Sequence, residues 1–253
     1  GLPVYGIIPR SDRQVKITEK RKEKSFNSQL LSVIDPRDRA VESLRSLRTS
    51  LQFALADAKN NIICIAGATP SLGKSFLNMN LAALMAESGR RVLLIDGDLR
   101  RGRMHNYLSN QGQLPGFAEL LANNAEAKDV IRAIQDIPNL SYVACGQYPP
   151  NPAELLGSER FVRIMEQFSK DFDVVIIDSA PIMNLADALL VNRICGVVLF
   201  TVREGQTTWQ DVELALARYQ RDNIAIKGVV VNSVKVSRSR YGYSYAYPAY
   251  EYK

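Results

Sequence analysis

The sequence predicts an α/β fold, a mostly parallel central sheet with helices on both faces, and two patterns carry that prediction. Short runs of Val, Ile and Leu recur at 61–66, 91–95, 140–144, 173–177, 196–202 and 224–231, each nearly all apolar. Strands that are apolar throughout are buried on both faces, as happens when helices cover a parallel sheet. Most of these runs are separated by stretches whose apolar residues return every three or four positions, among them 75–88, 158–170 and 208–221. Alternation of this kind places ligands at the carboxyl ends of the strands.

The remaining segments follow in order. Residues 1–10 are apolar and interrupted by Pro3 and Pro9, which suits an extended, anchored segment. Residues 11–27 are polar and charged and read as mobile. Within 36–55, Val41, Leu44, Leu47, Leu51 and Leu55 recur at the helical period, so one face is buried. The stretch 104–138 has no single period and reads as mixed helix and loop.

Composition bounds the rest. The chain has 253 residues, 46% hydrophobic and 23% charged, enough to bury a full core. No run approaches the roughly 18 to 20 apolar residues of a membrane helix, nothing near Gly1 resembles a signal peptide, and the chain as given reads as soluble. Cys64, Cys145 and Cys195 are widely spaced among apolar neighbours and read as reduced core thiols. His105 is the single histidine, so a zinc site lacks ligands, and a surface position is expected for it. The net charge of +6 is concentrated in 9–25 and 235–253, leaving the intervening chain nearly neutral. That argues against a nucleic-acid-binding face. It suits end segments lying near anionic lipid or reaching an acidic site, or simply solvated.

The chemistry centres on 61–75, a buried strand, a loop of small residues and a helix start ending in Gly73-Lys74-Ser75. This is a P-loop, and it makes the predicted fold P-loop NTPase-like. The segment from Ala68, Thr69, Pro70, Ser71, Leu72 and Gly73 to Lys74, Ser75 and Phe76 forms the expected phosphate-binding stretch, its N–H groups aimed at the phosphates. Lys74 reaches the outer phosphates and Ser75 ligates magnesium. Ala68 stands where the usual pattern has its first Gly, with Gly67 one residue earlier. Two further apolar strands close on carboxylates, Asp96 with Asp98 just beyond it, and Asp178. A buried carboxylate needs a cation or hydrogen-bond donors. Beside a P-loop the expected cation is magnesium, held by Ser75, Asp96, Asp98 and Asp178 directly or through water.

Together, Ala68-x-x-x-x-Gly73-Lys74-Ser75, Asp96-x-Asp98-x-Arg100 and Asp178-x-x-Pro181 resemble the three Walker motifs of the bacterial tyrosine kinases. The form resembled is the cytoplasmic catalytic domain of Wzc-type polysaccharide co-polymerases. Glu42-x-x-Arg45-x-x-Arg48, the tyrosine-rich end and the opening nine residues resemble the same family, so the similarity covers essentially the whole chain. The resemblance implies ATP and magnesium as cofactors and transfer of phosphate to Tyr241, Tyr243, Tyr245, Tyr247, Tyr250 and Tyr252. It implies a ring of copies built through Glu42, Arg45 and Arg48, with the tail of one copy in the site of the next. Further implied partners are a low-molecular-weight tyrosine phosphatase, polysaccharide export machinery and a fused or separate transmembrane domain at the cytoplasmic face of the bacterial inner membrane. Residues 1–30 then form a juxtamembrane-type basic segment, 31–236 the kinase domain and 237–253 a flexible tail.

A tyrosine hydroxyl is protonated at neutral pH, so transfer needs a base. Asp96 is the first candidate, with Asp98 and Asp178 positioning magnesium and Lys74 offsetting charge on the transferred group. Family members often carry a tyrosine after the Arg-Arg-Gly that follows the second motif; here Arg103 follows Gly102 and Tyr107 is the nearest substitute. Three alternatives stay open. One is a MinD- or ParA-like ATPase, although such proteins carry a further lysine where Ala68 and Thr69 stand. Another is an assembly subunit that only senses nucleotide, and the tail could instead form an edge strand or stack on RNA.

Overall fold

The computed structural model describes residues 1–19, 30–108, 115–183 and 186–235. The chain runs β1 (Val4–Pro9), α1 (Asp12–Glu19), α2 (Leu31–Ile34), α3 (Arg39–Ala56), β2 (Ile62–Gly67), α4 (Lys74–Glu87), β3 (Val92–Asp96), α5 (His105–Leu108), α6 (Phe117–Leu121) and α7 (Ala127–Val130). It continues through β4 (Arg132–Ala133), β5 (Leu140–Val143), α8 (Pro152–Leu156), α9 (Glu159–Asp171), β6 (Val174–Asp178), α10 (Asp187–Ile194), β7 (Val197–Arg203), α11 (Trp209–Arg221) and β8 (Gly228–Val234). The strands form one sheet in the order β1-β8-β7-β2-β6-β3-β5-β4, parallel throughout except where β4 meets β5.

The apolar runs explain why the sheet is central. Along β2, Ile63 and Ile65 enter one core while Ile62, Cys64 and Ala66 enter the other, and β3 and β6 divide their side chains the same way. The first core lies under α3 and α4, and the second under α9, α10 and α11. Each fully buried Leu or Ile contributes about 1.5 to 3 kcal/mol from desolvation. The three cysteines are free and buried, as their neighbours predict. His105 is half-buried rather than on the surface.

Two expectations change. The segment read as mobile begins with α1, whose amphipathic pattern is short but whose start is fixed by Ser11. Its Oγ accepts from the Gln14 amide at 3.1 Å and donates to Asp38 Oδ2 at 2.6 Å. Asp38 in turn caps α3 by accepting from the Ala40 amide at 2.8 Å, so one hydroxyl–carboxylate bond joins two helix starts. Residues 20–29 lie outside the described residues. The strand expected at 224–231 is β8, beginning only at Gly228, because Asn223 closes α11 in the left-handed region while Ile224 and Ile226 pack into the second core. Among the described residues, no helix is long and apolar enough to cross a membrane.

Candidate functional site

The loop after β2 is held by its carbonyls. Gly67 O and Ala68 O accept the amides of Ile182 and Met183, both at 3.1 Å. Pro70 O accepts Gln206 Nε2 at 3.0 Å, Ser71 O accepts an Arg203 guanidinium nitrogen at 2.6 Å, and Leu72 O accepts Asn232 Nδ2 at 2.8 Å. A loop whose carbonyls are tied to the scaffold presents its amides to a ligand, and the start of α4 adds the positive end of a helix dipole. Gly73 has φ +90°, and a Cβ there would lie 2.2 Å from Asn232 Nδ2, so only glycine fits this turn. Thr69, Pro70 and Ser71 form the accessible crest of the loop, whereas Ala68 and Leu72 are buried under it. Phe76 packs against the first core, leaving only its backbone to the loop.

Lys74 is 8% exposed, with its stem against Gly67. Ser75 Oγ donates to Asp178 Oδ2 at 2.5 Å, and Asn78 Nδ2 donates to Asp178 Oδ1 at 2.9 Å. The register of β3 and β6 sets Asp96 directly beside Asp178. Asp96 is 1% exposed; its Oδ2 accepts the Met104 amide at 2.9 Å and its Oδ1 has no partner. The loop after β3 closes over it so tightly that a Cβ on Gly102 would sit 2.5 Å from Oδ1. Burial, then the neighbouring Asp178, pushes the Asp96 carboxyl well above the usual range. Burial also raises Asp178, against the pull of Lys74, Ser75 and Asn78. Asp98 is half-buried, its Oδ1 accepting the amides of Arg100 and Arg101 at 3.2 and 3.0 Å.

The loop, the lysine, the serine and the carboxylates expected from the sequence come together at the carboxyl edge of the central strands β2, β6 and β3. Whether they fit magnesium turns on Asp96. A buried carboxylate oxygen without a partner, beside a second buried carboxylate, is the arrangement a divalent cation would relieve, so the residues fit. The carboxylates do not make a cage: among the described residues no group of three or more Asp, Glu, His or Cys could hold a metal ion. The remaining ligands would have to come from Ser75, phosphate oxygens and water.

A profile of the AAA domain family matches residues 60–196. The solved kinase domain of the Escherichia coli tyrosine kinase ETK superposes with a TM-score of 0.87 and 39% identity, covering 98% of this chain and 96% of that one. The chain belongs to the bacterial tyrosine kinase family. Tyrosine-protein kinase ptk of Acinetobacter johnsonii is 41% identical over 243 residues, 95% of this chain and 32% of that protein. The chain thus spans about a third of the length of the curated relatives it matches. The septum site-determining protein MinD of Pyrococcus horikoshii, solved with Mg-ADP, shares the fold alone, with a TM-score of 0.57 and 20% identity over 68% of this chain and 70% of that one.

Within this tyrosine kinase domain the remaining predicted residues separate. Glu42 is exposed and pairs with Arg45 at 2.5 Å, and Arg45 also donates to Pro36 O at 2.7 Å. Arg48 turns inward, donating to Leu84 O of α4 at 2.8 Å. Arg100 grips Asp187 at 2.6 and 3.3 Å, tying the loop that carries Asp98 to α10. Tyr107 packs against the first core, and Tyr148 donates its hydroxyl to Gly102 O at 2.9 Å. The tyrosines from Tyr241 to Tyr252 lie outside the described residues. Asn78, Arg203, Gln206, Asp187 and Asn232 were not legible as site residues. The available signals were an Asn on a buried helix face and an Asn inside an apolar strand.

Proposed function

We propose that the chain is an ATP- and magnesium-dependent protein tyrosine kinase whose acceptors are Tyr241, Tyr243, Tyr245, Tyr247, Tyr250 and Tyr252, mainly those of an adjacent copy in a ring. The observation that carries this reading is the buried pair Asp96 and Asp178, set beside Lys74 and Ser75 at the mouth of the phosphate-binding loop. The loop amides and Lys74 bind and orient the triphosphate. Ser75, with Asp178 behind it, would hold magnesium, which supplies charge neutralisation for the transferred group. Asp96 takes the proton from the tyrosine hydroxyl as its oxygen bonds to the γ-phosphorus and the bond to ADP breaks. Its raised pKa makes it a stronger base than an exposed carboxylate, provided that nearby positive charge keeps it ionised. Asp98 adds negative charge at the same edge and orients the loop above Asp96.

The wider reading includes a ring formed through Glu42, Arg45 and Arg48 and a membrane domain that is fused or separate. It also includes control of exopolysaccharide or capsule export at the cytoplasmic face of the inner membrane, and a low-molecular-weight tyrosine phosphatase that resets the tail. It rests on family membership. The test is incubation of the purified chain with ATP and MgCl2, followed by mass-spectrometric mapping of phosphotyrosine. Phosphate is expected on the C-terminal tyrosines and is lost in Lys74→Met. ATP hydrolysis without phosphotyrosine would favour a MinD-like ATPase instead, and nucleotide binding with neither outcome would favour an assembly subunit.

A further inference from the structure

Asn78 is 0% exposed, one turn beyond Ser75 on the same side of α4. Its amide nitrogen donates to Asp178 Oδ1, while its own Oδ1 is buried with no partner. A buried carbonyl oxygen left unpaired is unfavourable, and a leucine or alanine at a buried helix position would not carry one. Packing alone therefore does not explain an asparagine here. What the asparagine supplies is a second anchor. Ser75 holds one oxygen of Asp178 and Asn78 holds the other, both from a helix whose first turn is the phosphate site.

We infer that Asn78 is a positioning residue, which fixes the rotation of the Asp178 carboxylate so that only Oδ2 faces Ser75 and the magnesium position. This rests on the nucleotide–magnesium reading given above and extends it to a residue outside the three motifs. Without the Asn78 amide, Oδ1 is untethered and the Ser75 hydroxyl alone holds the carboxylate, which can then turn about its own axis. A hydrogen-bond partner one step behind a metal-binding group is the kind of contact whose loss typically weakens metal affinity by roughly 10- to 100-fold.

The test compares wild type with Asn78→Leu, which removes both the donor and the unpaired oxygen, and with Asn78→Ala, should the larger side chain not fit. Two quantities are read. One is the MgCl2 concentration giving half-maximal binding of a fluorescent N-methylanthraniloyl-ADP; the other is the melting temperature of the ligand-free chain. The inference predicts that the MgCl2 requirement rises roughly 10-fold or more, within the range expected for such partners. Affinity for the same nucleotide in EDTA is expected to stay unchanged, while Asn78→Leu melts somewhat lower than wild type because the buried Asp178 Oδ1 loses its donor. An unchanged MgCl2 requirement in a folded variant would overturn it and leave the nucleotide site intact. A lower melting temperature together with an unchanged MgCl2 requirement would assign Asn78 to packing. Magnesium-independent binding by the wild type would instead overturn the underlying reading.

Discussion

Asp96 carries a folding cost. Its carboxyl is buried beside Asp178, one oxygen is unpaired, and its pKa is raised on folding. A carboxyl of this kind leaves the chain at full stability below its unfolded pKa and withdraws stability as pH rises through its folded pKa. Asp96→Asn keeps an oxygen for the Met104 amide but removes the charge. It is therefore expected to leave the melting temperature of the ligand-free chain unchanged at or below about pH 4, where the carboxyl is protonated in both states, and to raise it near pH 8. Tail phosphorylation should disappear in the same variant. Thermal melts across pH check the first outcome, and equal melting of both proteins at every pH would contradict it. Asp96 and Asp178 were legible because each closes an apolar strand. Their side-by-side register was not, since it depends on how β3 and β6 pair.

Elements show a similar division between what spacing reveals and what contact decides. The central strands could be read from their unbroken Val, Ile and Leu content, and α3, α9 and α11 from their period; α4, expected to be amphipathic, is instead buried on every side from Leu77 to Ala86. In contrast, α1 is held by a Ser11–Asp38 bond between positions 27 apart, and β4 is too short to show any period. The clamps on the phosphate loop come from Arg203 and Asn232, separated from their partners by 132 and 160 positions. The edge strand β1 depends on a close approach to β8: a Cβ on Gly228 would lie 2.3 Å from Tyr5 Cδ2 and 2.6 Å from Pro3 O. Gly228→Ala is expected to push β1 off the sheet and destabilise the chain by about 1 to 3 kcal/mol. Hydrogen exchange should show β1 amides losing protection while those of β2 and β6 keep theirs. Retained protection at β1 would show that the sheet absorbs the methyl group.

Across the whole molecule, positive charge lies in the two end segments and the intervening chain is nearly neutral. The carboxyl edge of the central strands gathers the acidic groups of Asp96, Asp98 and Asp178 near the buried ammonium of Lys74. Grouping these carboxyls is unfavourable in the ligand-free chain, and a bound divalent ion would relieve it, so nucleotide and metal are expected to bind together. The most direct test is calorimetric titration of the intact, folded chain with ADP, in MgCl2 and again in EDTA. The account predicts saturable binding of one ADP per chain in MgCl2, weakened by roughly 10-fold or more in EDTA. No binding in MgCl2, or equal binding in both buffers, would contradict it.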